Sequence, residues 1–85
     1  MRVVYTKHAA GKFESLRELG IKIRKTDIRN AIKNPDYHGE YIYRGTEFVL
    51  KQMNDIYNLR VIFAHEDDII IVITFHPTKK GRYVK

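Results

Sequence analysis

Cysteine is absent from this sequence, and apolar residues never form a long run. Without cysteine, neither a disulfide framework nor a thiolate metal site can form. The longest apolar run covers residues 69–73, far short of the ~20 residues that cross a membrane, and it suits a buried strand. The N-terminus lacks the apolar segment of a signal peptide. We therefore expect a cytoplasmic protein without membrane contact.

Acidic residues are few relative to basic ones. Ten Asp and Glu stand against 16 Lys and Arg, which gives the 85-residue chain a formal net charge of +6. Such a field attracts nucleic acid or another polyanion, although a basic surface also serves simply to keep a protein dispersed. The length suffices for one domain, so residues 1–85 are expected to form a single folding unit.

The N-terminal half has the pattern of one strand and two helices. β-Branched residues predict a strand over residues 2–5, and Thr6 is a suitable N-cap for a helix over residues 7–19. Thr26 or Asp27 is expected to cap a second helix, whose apolar residues recur at helical spacing. Each helix would then have one apolar face for packing.

The C-terminal half changes to the pattern of strands. Residues 36–40 are polar and predict a loop, and Pro77 is expected to end the last strand because proline cannot serve an interior ladder. Four strands are predicted, over residues 41–43, 48–52, 57–64 and 69–75. The order β-α-α-β-β-β-β predicts an α+β fold, with the two helices on one face of a twisted, mostly antiparallel sheet and the other face partly open.

A basic tail with one tyrosine follows the last predicted strand. Residues 76–85 contain no acid and include Lys79, Lys80, Arg82 and Tyr83. Lys and Arg neutralise phosphates, and a tyrosine ring offers a stacking face for an unpaired base, which suits RNA better than duplex DNA. The alternative is a frayed and solvated C-terminus.

Two further side chains have the chemistry of a site. Arg60 interrupts an otherwise apolar strand, so its charge must reach solvent, a partner or a ligand, and an ion pair on an exposed face is the alternative. His76 follows the last predicted strand and can act as an acid or a base near neutral pH. No metal is expected, because the histidines lack the spacing of a helical metal site: His8, His38, His65 and His76.

The last third of the chain carries four characteristic segments in succession. These are an arginine-led strand (RVIF), an acidic turn (EDD), an apolar strand (IIIVIT) and a basic tail that closes on Arg-Tyr. The pattern resembles the end of the RelE/ParE superfamily of small bacterial and archaeal toxins. The N-terminal part, YTKHA…IRNAIKNPDYHGEY, is similar to a small uncharacterised group of RelE-like domains. The resemblance implies a RelE-like fold over most of the chain.

The resemblance also implies an RNA cleavage site that needs neither metal nor cofactor. By motif, Arg60 and Arg82 would stabilise the phosphate in the transition state, Tyr83 would stack on a base or assist proton transfer, and His76 would be the general acid or base. The residues expected to bind the RNA backbone are Lys51, Lys79 and Lys80. Such a toxin acts on mRNA, free or on the ribosome, and is restrained by an antitoxin protein.

Strand parity sets a condition on this site. With a two- or four-residue loop between the last two strands, Arg60 shares a face with Ile73, and His76 lies on the other face. Bringing Arg60 and His76 together requires a β-bulge or a tail that folds back. Two other functions stay open, because a fold does not fix a function: a non-catalytic nucleic-acid-binding domain on the same scaffold, and a ParE-like toxin that binds another protein.

Overall fold

The computed structural model describes residues 2–40 and 45–81, which form two helices and one five-stranded sheet. In chain order the elements are β1 (Arg2–Tyr5), α1 (Lys7–Glu18), α2 (Lys25–Lys33), β2 (Tyr37–Glu40), β3 (Thr46–Gln52), β4 (Tyr57–Glu66) and β5 (Ile69–Lys79). The strands lie in the order β1-β5-β4-β3-β2, with β1 parallel to β5 and the other neighbours antiparallel. The predicted α+β layout is therefore confirmed. That this layout is of the RelE type stays a prediction.

Helix α1 begins where its sequence predicts and ends one residue earlier, at Glu18. The Thr6 hydroxyl accepts a hydrogen bond from the backbone N–H of Ala9 at 3.1 Å, which satisfies one of the open donors of the first turn. At the other end Gly20 adopts a φ of 82°, and its N–H donates to the carbonyl of Arg17. Glycine takes this left-handed conformation without strain, so the helix stops here.

Helix α2 is capped differently from the prediction. Its N-cap is Arg24, so the expectation of a cap at Thr26 or Asp27 is wrong. Asp27 is the third residue of the helix, and its carboxylate accepts the backbone N–H of Arg24 at 2.9 Å. An acidic side chain at this position accepts a backbone N–H that would otherwise lack a partner at the start of the helix. It also interacts favourably with the helix dipole.

Both helices pack on one face of the sheet. Buried residues of both helices belong to one core cluster with Val61 of β4 and Phe75 of β5: Ala9 and Leu16 on α1, and Ile28 and Ala31 on α2. Phe75 is fully buried. Burying a side chain of this size contributes about 1.5–3 kcal/mol, so this layer supplies most of the apolar driving force.

The segment predicted as a loop over residues 36–40 is largely a strand. β2 pairs antiparallel with β3, with Tyr37 opposite Leu50 and Glu40 opposite Glu47. The pairing is anchored at Asp36, whose carboxylate accepts the backbone N–H of Gln52 at 2.7 Å. A polar edge strand has little local signal, and its pairing with β3 overrides that weak propensity. The strand predicted over residues 41–43 lies outside the described residues.

Pro77 does not end the last strand, as had been expected. β5 continues to Lys79, and Pro77 lies opposite Leu59 of β4. Within the described residues, β1 pairs with β5 only from Ile69 to Val72. Pro77 is therefore beyond that pairing, at an edge where its missing N–H is tolerated.

The two helices are short. Neither of them, in the described parts of the chain, has the length and apolar character needed to cross a membrane.

Candidate nucleic-acid site

The β4–β5 hairpin starts in a register that would separate Arg60 from His76. Its turn has two residues, and the first of them, Asp67, has a φ of 55°. Continued without interruption, the ladder from this turn would place Phe75 opposite Arg60 and His76 on the other face.

A β-bulge at Ile73 reverses this arrangement. The register of the hairpin shifts between Ile62 and Phe63, which leaves Ile73 as an extra residue on β5. Because strand side chains alternate with a period of two, one extra residue moves every later side chain of β5 to the opposite face. His76 therefore lies directly opposite Arg60. The bulge meets the condition set by strand parity.

The bulge is fixed by the residue that caps α1. The Thr6 hydroxyl donates to the backbone carbonyl of Ile73 at 3.0 Å while it accepts from Ala9. The backbone N–H of Thr6 donates to the carbonyl of Val72, also at 3.0 Å. The start of α1 and the bulge in β5 are thus joined through one side chain.

Arg60 and His76 are close neighbours on the face away from the helices. Arg60 Nη1 lies 3.4 Å from His76 Nε2, and Arg60 Cζ lies 5.3 Å from the centre of the Phe48 ring. Arg60 is only 7% exposed and His76 is half-buried. At the centre of this face Leu50 and Ile62 are also buried. The face is therefore open at its periphery and covered around Arg60.

The environment of His76 disfavours its protonation. Burial lowers the pKa of the imidazole, and the positive charges of Arg60 and of Lys12 on α1 lower it further. At neutral pH the ring is therefore uncharged, and its single nitrogen lone pair can accept either the neighbouring Arg60 N–H or a proton. A proton acceptor next to a permanent cation is an arrangement that suits chemistry on a phosphate.

The three lysines predicted to bind RNA do not lie together. Lys79 and Lys80 are exposed at the end of β5, where Lys79 is opposite Tyr57. Lys51 lies opposite the core residue Leu59, on the helix side of the sheet, and its Nζ is 3.7 Å from a carboxylate oxygen of Asp36. Lys51 is thus on the other face from Arg60.

Arg82 and Tyr83 lie outside the described residues. Of the four residues predicted to be catalytic, the structure therefore brings together Arg60 and His76. The roles of Arg82 and Tyr83 stay predictions.

The other histidines lie away from this pair. His8 is exposed at the start of α1, whereas His38 and His65 both contact the carboxylate of Glu47. The hydrogen bond with His38, followed by that with His65, lowers the pKa of Glu47 despite its partial burial. Among residues 2–40 and 45–81, no group of three potential ligands is placed to hold a metal ion.

Two residues near the site had no role in the sequence-based hypothesis. Lys12 lies on α1, and its positive charge contributes to the lowered pKa of His76. Phe48 appeared to be an ordinary strand residue, but its ring lies beside the Arg60 guanidinium. Neither contact has a local sequence signal, since each depends on the packing of α1 or on the register of β3 against β4.

No protein-family model, curated protein or solved structure matches this chain. The RelE/ParE resemblance therefore rests on the motifs alone.

Proposed function

We propose that this protein is a RelE-like toxin, a metal-independent endoribonuclease that acts on mRNA through Arg60 and His76. The observation that supports the proposal is the pair itself: an imidazole with a lowered pKa, 3.4 Å from a guanidinium, on the same sheet face. The bulge that creates the pair interrupts an otherwise regular ladder, and bulges of this kind often re-aim a side chain next to an active site.

The chemistry proposed for the pair is transfer within the RNA chain. His76 takes the proton of a 2′-hydroxyl, whose oxygen attacks the adjacent phosphorus to form a cyclic phosphate. Arg60 stabilises the negative charge that builds up on the phosphate oxygens. The bond to the 5′-oxygen breaks, and that oxygen takes a proton from water or from Tyr83, which then regains one from water. His76 then returns its proton to water.

The proposed partners follow from charge. The exposed Lys79 and Lys80 hold the RNA backbone next to the end of β5. The mRNA is bound free or on the ribosome, and an antitoxin protein restrains the toxin in the cell. No cofactor takes part in the proposed reaction.

Cleavage of RNA by the purified protein in EDTA tests the proposal. Free and ribosome-bound RNA should both be assayed, because a toxin that requires the ribosome leaves free RNA intact. His76→Gln should lower the rate about 10²- to 10⁴-fold, which is the usual contribution of a general base. Arg60→Met, which keeps the volume and removes the charge, should lower it as well.

The matched control is His65→Gln, which changes an exposed histidine distant from the pair and should leave the rate unchanged. The wild-type rate should rise with pH through the lowered pKa of His76 and be level by neutral pH. RNA that is bound but stays intact in every assay would disprove the enzyme and leave a binding protein.

A non-catalytic nucleic-acid-binding domain is the second candidate. The burial of Arg60 favours it, since a residue that is only 7% exposed presents little of its surface to a phosphate. In that case the cation acts mainly through its field, and His76→Gln would leave RNA affinity almost unchanged.

A further inference from the structure

Two aromatic rings lie side by side on the sheet face that carries Arg60 and His76. Tyr37 on β2 and Phe48 on β3 have ring centres 5.9 Å apart and planes inclined by 40°. Tyr37 is 41% exposed, whereas Phe48 is half-buried. The solvent-facing ring of the pair is therefore that of Tyr37.

Gly39 makes room for this ring pair. A Cβ atom at position 39 would come within 2.6 Å of Cε1 and 2.7 Å of Cζ of Phe48, and within 3.2 Å of Cε2 of Tyr37. The backbone conformation there does not require glycine; the space does. The Phe48 ring thus lies directly over the backbone of β2, which brings it against Tyr37.

The ring pair lies next to Arg60, the neighbour of His76. Tyr37 is opposite Leu50, Leu50 is opposite Arg60, and Arg60 is opposite His76, so one row crosses four strands. Above this row the guanidinium of Arg60 lies 5.3 Å from the Phe48 ring centre. With neighbouring strands ~4.8 Å apart, the backbone of Tyr37 is ~10 Å from that of Arg60. The two aromatic rings, the guanidinium and the imidazole therefore lie one after another from β2 to His76.

We propose that Tyr37, supported by Phe48, is a stacking subsite for an unpaired nucleobase of a single-stranded RNA. The proposal rests on the proposed function, because it places the base next to Arg60, the cation that would hold its phosphate. An aromatic ring accepts any base, since every base has a π-face, and Arg60 and the net charge of +6 select a polyanion. A cross-strand aromatic pair alone also stabilises a sheet, so the test must separate stacking on a ligand from packing within the fold.

Binding of an uncleavable RNA separates the two. The probe is a labelled 2′-O-methyl oligonucleotide of about eight nucleotides, compared by fluorescence anisotropy with an abasic chain of the same length and charge. We expect the wild-type protein to bind the oligonucleotide with bases roughly 5- to 100-fold more tightly than the abasic chain. Tyr37→Leu should abolish that difference, and Tyr37→Phe should keep it.

Tyr57→Leu is the matched control. Tyr57 is 39% exposed, almost the same as Tyr37, but it lies opposite Lys79 on the other face of the sheet, the face that carries the helices. Its loss should leave the preference for bases unchanged. If Tyr57→Leu and Tyr37→Leu have the same effect, the proposed subsite is wrong.

Three further outcomes are informative. Equal binding of both probes by the wild-type protein, with loss of both in Arg60→Met, overturns the subsite and leaves the proposed function intact. Binding of neither probe overturns both. If Tyr37→Leu does not fold, the NMR resonances of the Tyr37 ring in the wild-type protein decide. They should shift when the oligonucleotide with bases is added and stay in place with the abasic chain. Resonances that do not shift with the oligonucleotide overturn the subsite.

Discussion

At the scale of single residues, His76 links the stability of the fold to pH. Its pKa is lower in the folded protein than the usual value of 6.5, so below about pH 6.5 the unfolded chain binds more protons than the folded one. The contribution of His76 is complete above pH 6.5 and is lost as the pH falls through its folded pKa. The free energy of unfolding should therefore decrease over this interval, and His76→Asn should remove that decrease.

Urea denaturation at a series of pH values measures this effect. The control is His8→Asn, because His8 is exposed on α1 and should leave the pH profile in place. A wild-type profile that is flat below pH 6.5 would contradict the assignment of His76 as a half-buried, neutral base.

Some of these residues could be identified from the sequence and others could not. Arg60 is conspicuous because a charge in an apolar strand must have a partner or a ligand. The position of His76 depended on one unknown, the extra residue at Ile73, which no local pattern indicates. Tyr37 and Phe48 meet only because β2 pairs with β3, and the sequence predicted a loop where β2 lies.

At the scale of secondary structure elements, the Thr6 hydroxyl is expected to hold α1 and the bulge of β5 together. Thr6→Val keeps the shape of the side chain but removes its hydrogen bonds with Ala9 and Ile73. The lost cap costs about 1 kcal/mol and the second bond about 1 kcal/mol more. We therefore expect a loss of about 2 kcal/mol in the free energy of unfolding.

Thr6→Ser is the matched variant for this measurement, since it retains the hydroxyl and should stay close to wild type in urea denaturation. In Thr6→Val the NMR titration of His76 should also move toward the ordinary pKa, because a loosened bulge lets His76 leave Arg60. Equal stability of the two variants would show that the hydroxyl does not hold the bulge.

The elements predicted well are those whose signals are local. The N-cap at Thr6 and the left-handed Gly20 fix α1 from within a few residues of each end. Where tertiary pairing decides, prediction failed: Pro77 continues a strand because it lies past the end of the β1–β5 pairing, and β2 exists because β3 pairs with it. The register of β4 against β5, which brings Arg60 and His76 together, is likewise decided by tertiary pairing.

At the scale of the whole molecule, the net charge of +6 predicts RNA binding that weakens steeply with salt. For a single strand, each phosphate contact contributes about −0.7 to the slope of log K against log salt concentration. Replacing both Lys79 and Lys80 with alanine should make that slope shallower by about 1.4. Anisotropy titrations at several salt concentrations measure it.

The control for this prediction removes the same charge elsewhere. Lys25 and Lys33 are exposed on α2, and their double replacement with alanine should leave the slope as it is. An equal change in both double variants would mean that RNA responds to total charge rather than to the end of β5.

The parallel pairing of β1 with β5 has a consequence for the synthesis of the protein. Arg2 pairs with Ile69, so the first strand has no docking place until the ribosome has delivered the last one. Contacts between such distant residues form late, because the intervening chain must first be ordered. Only at that stage can Thr6 contact Ile73 and Arg60 pair with His76. A copy whose β5 has not yet been synthesised therefore has neither the bulge nor the Arg60–His76 pair, and translation itself sets the moment at which both form.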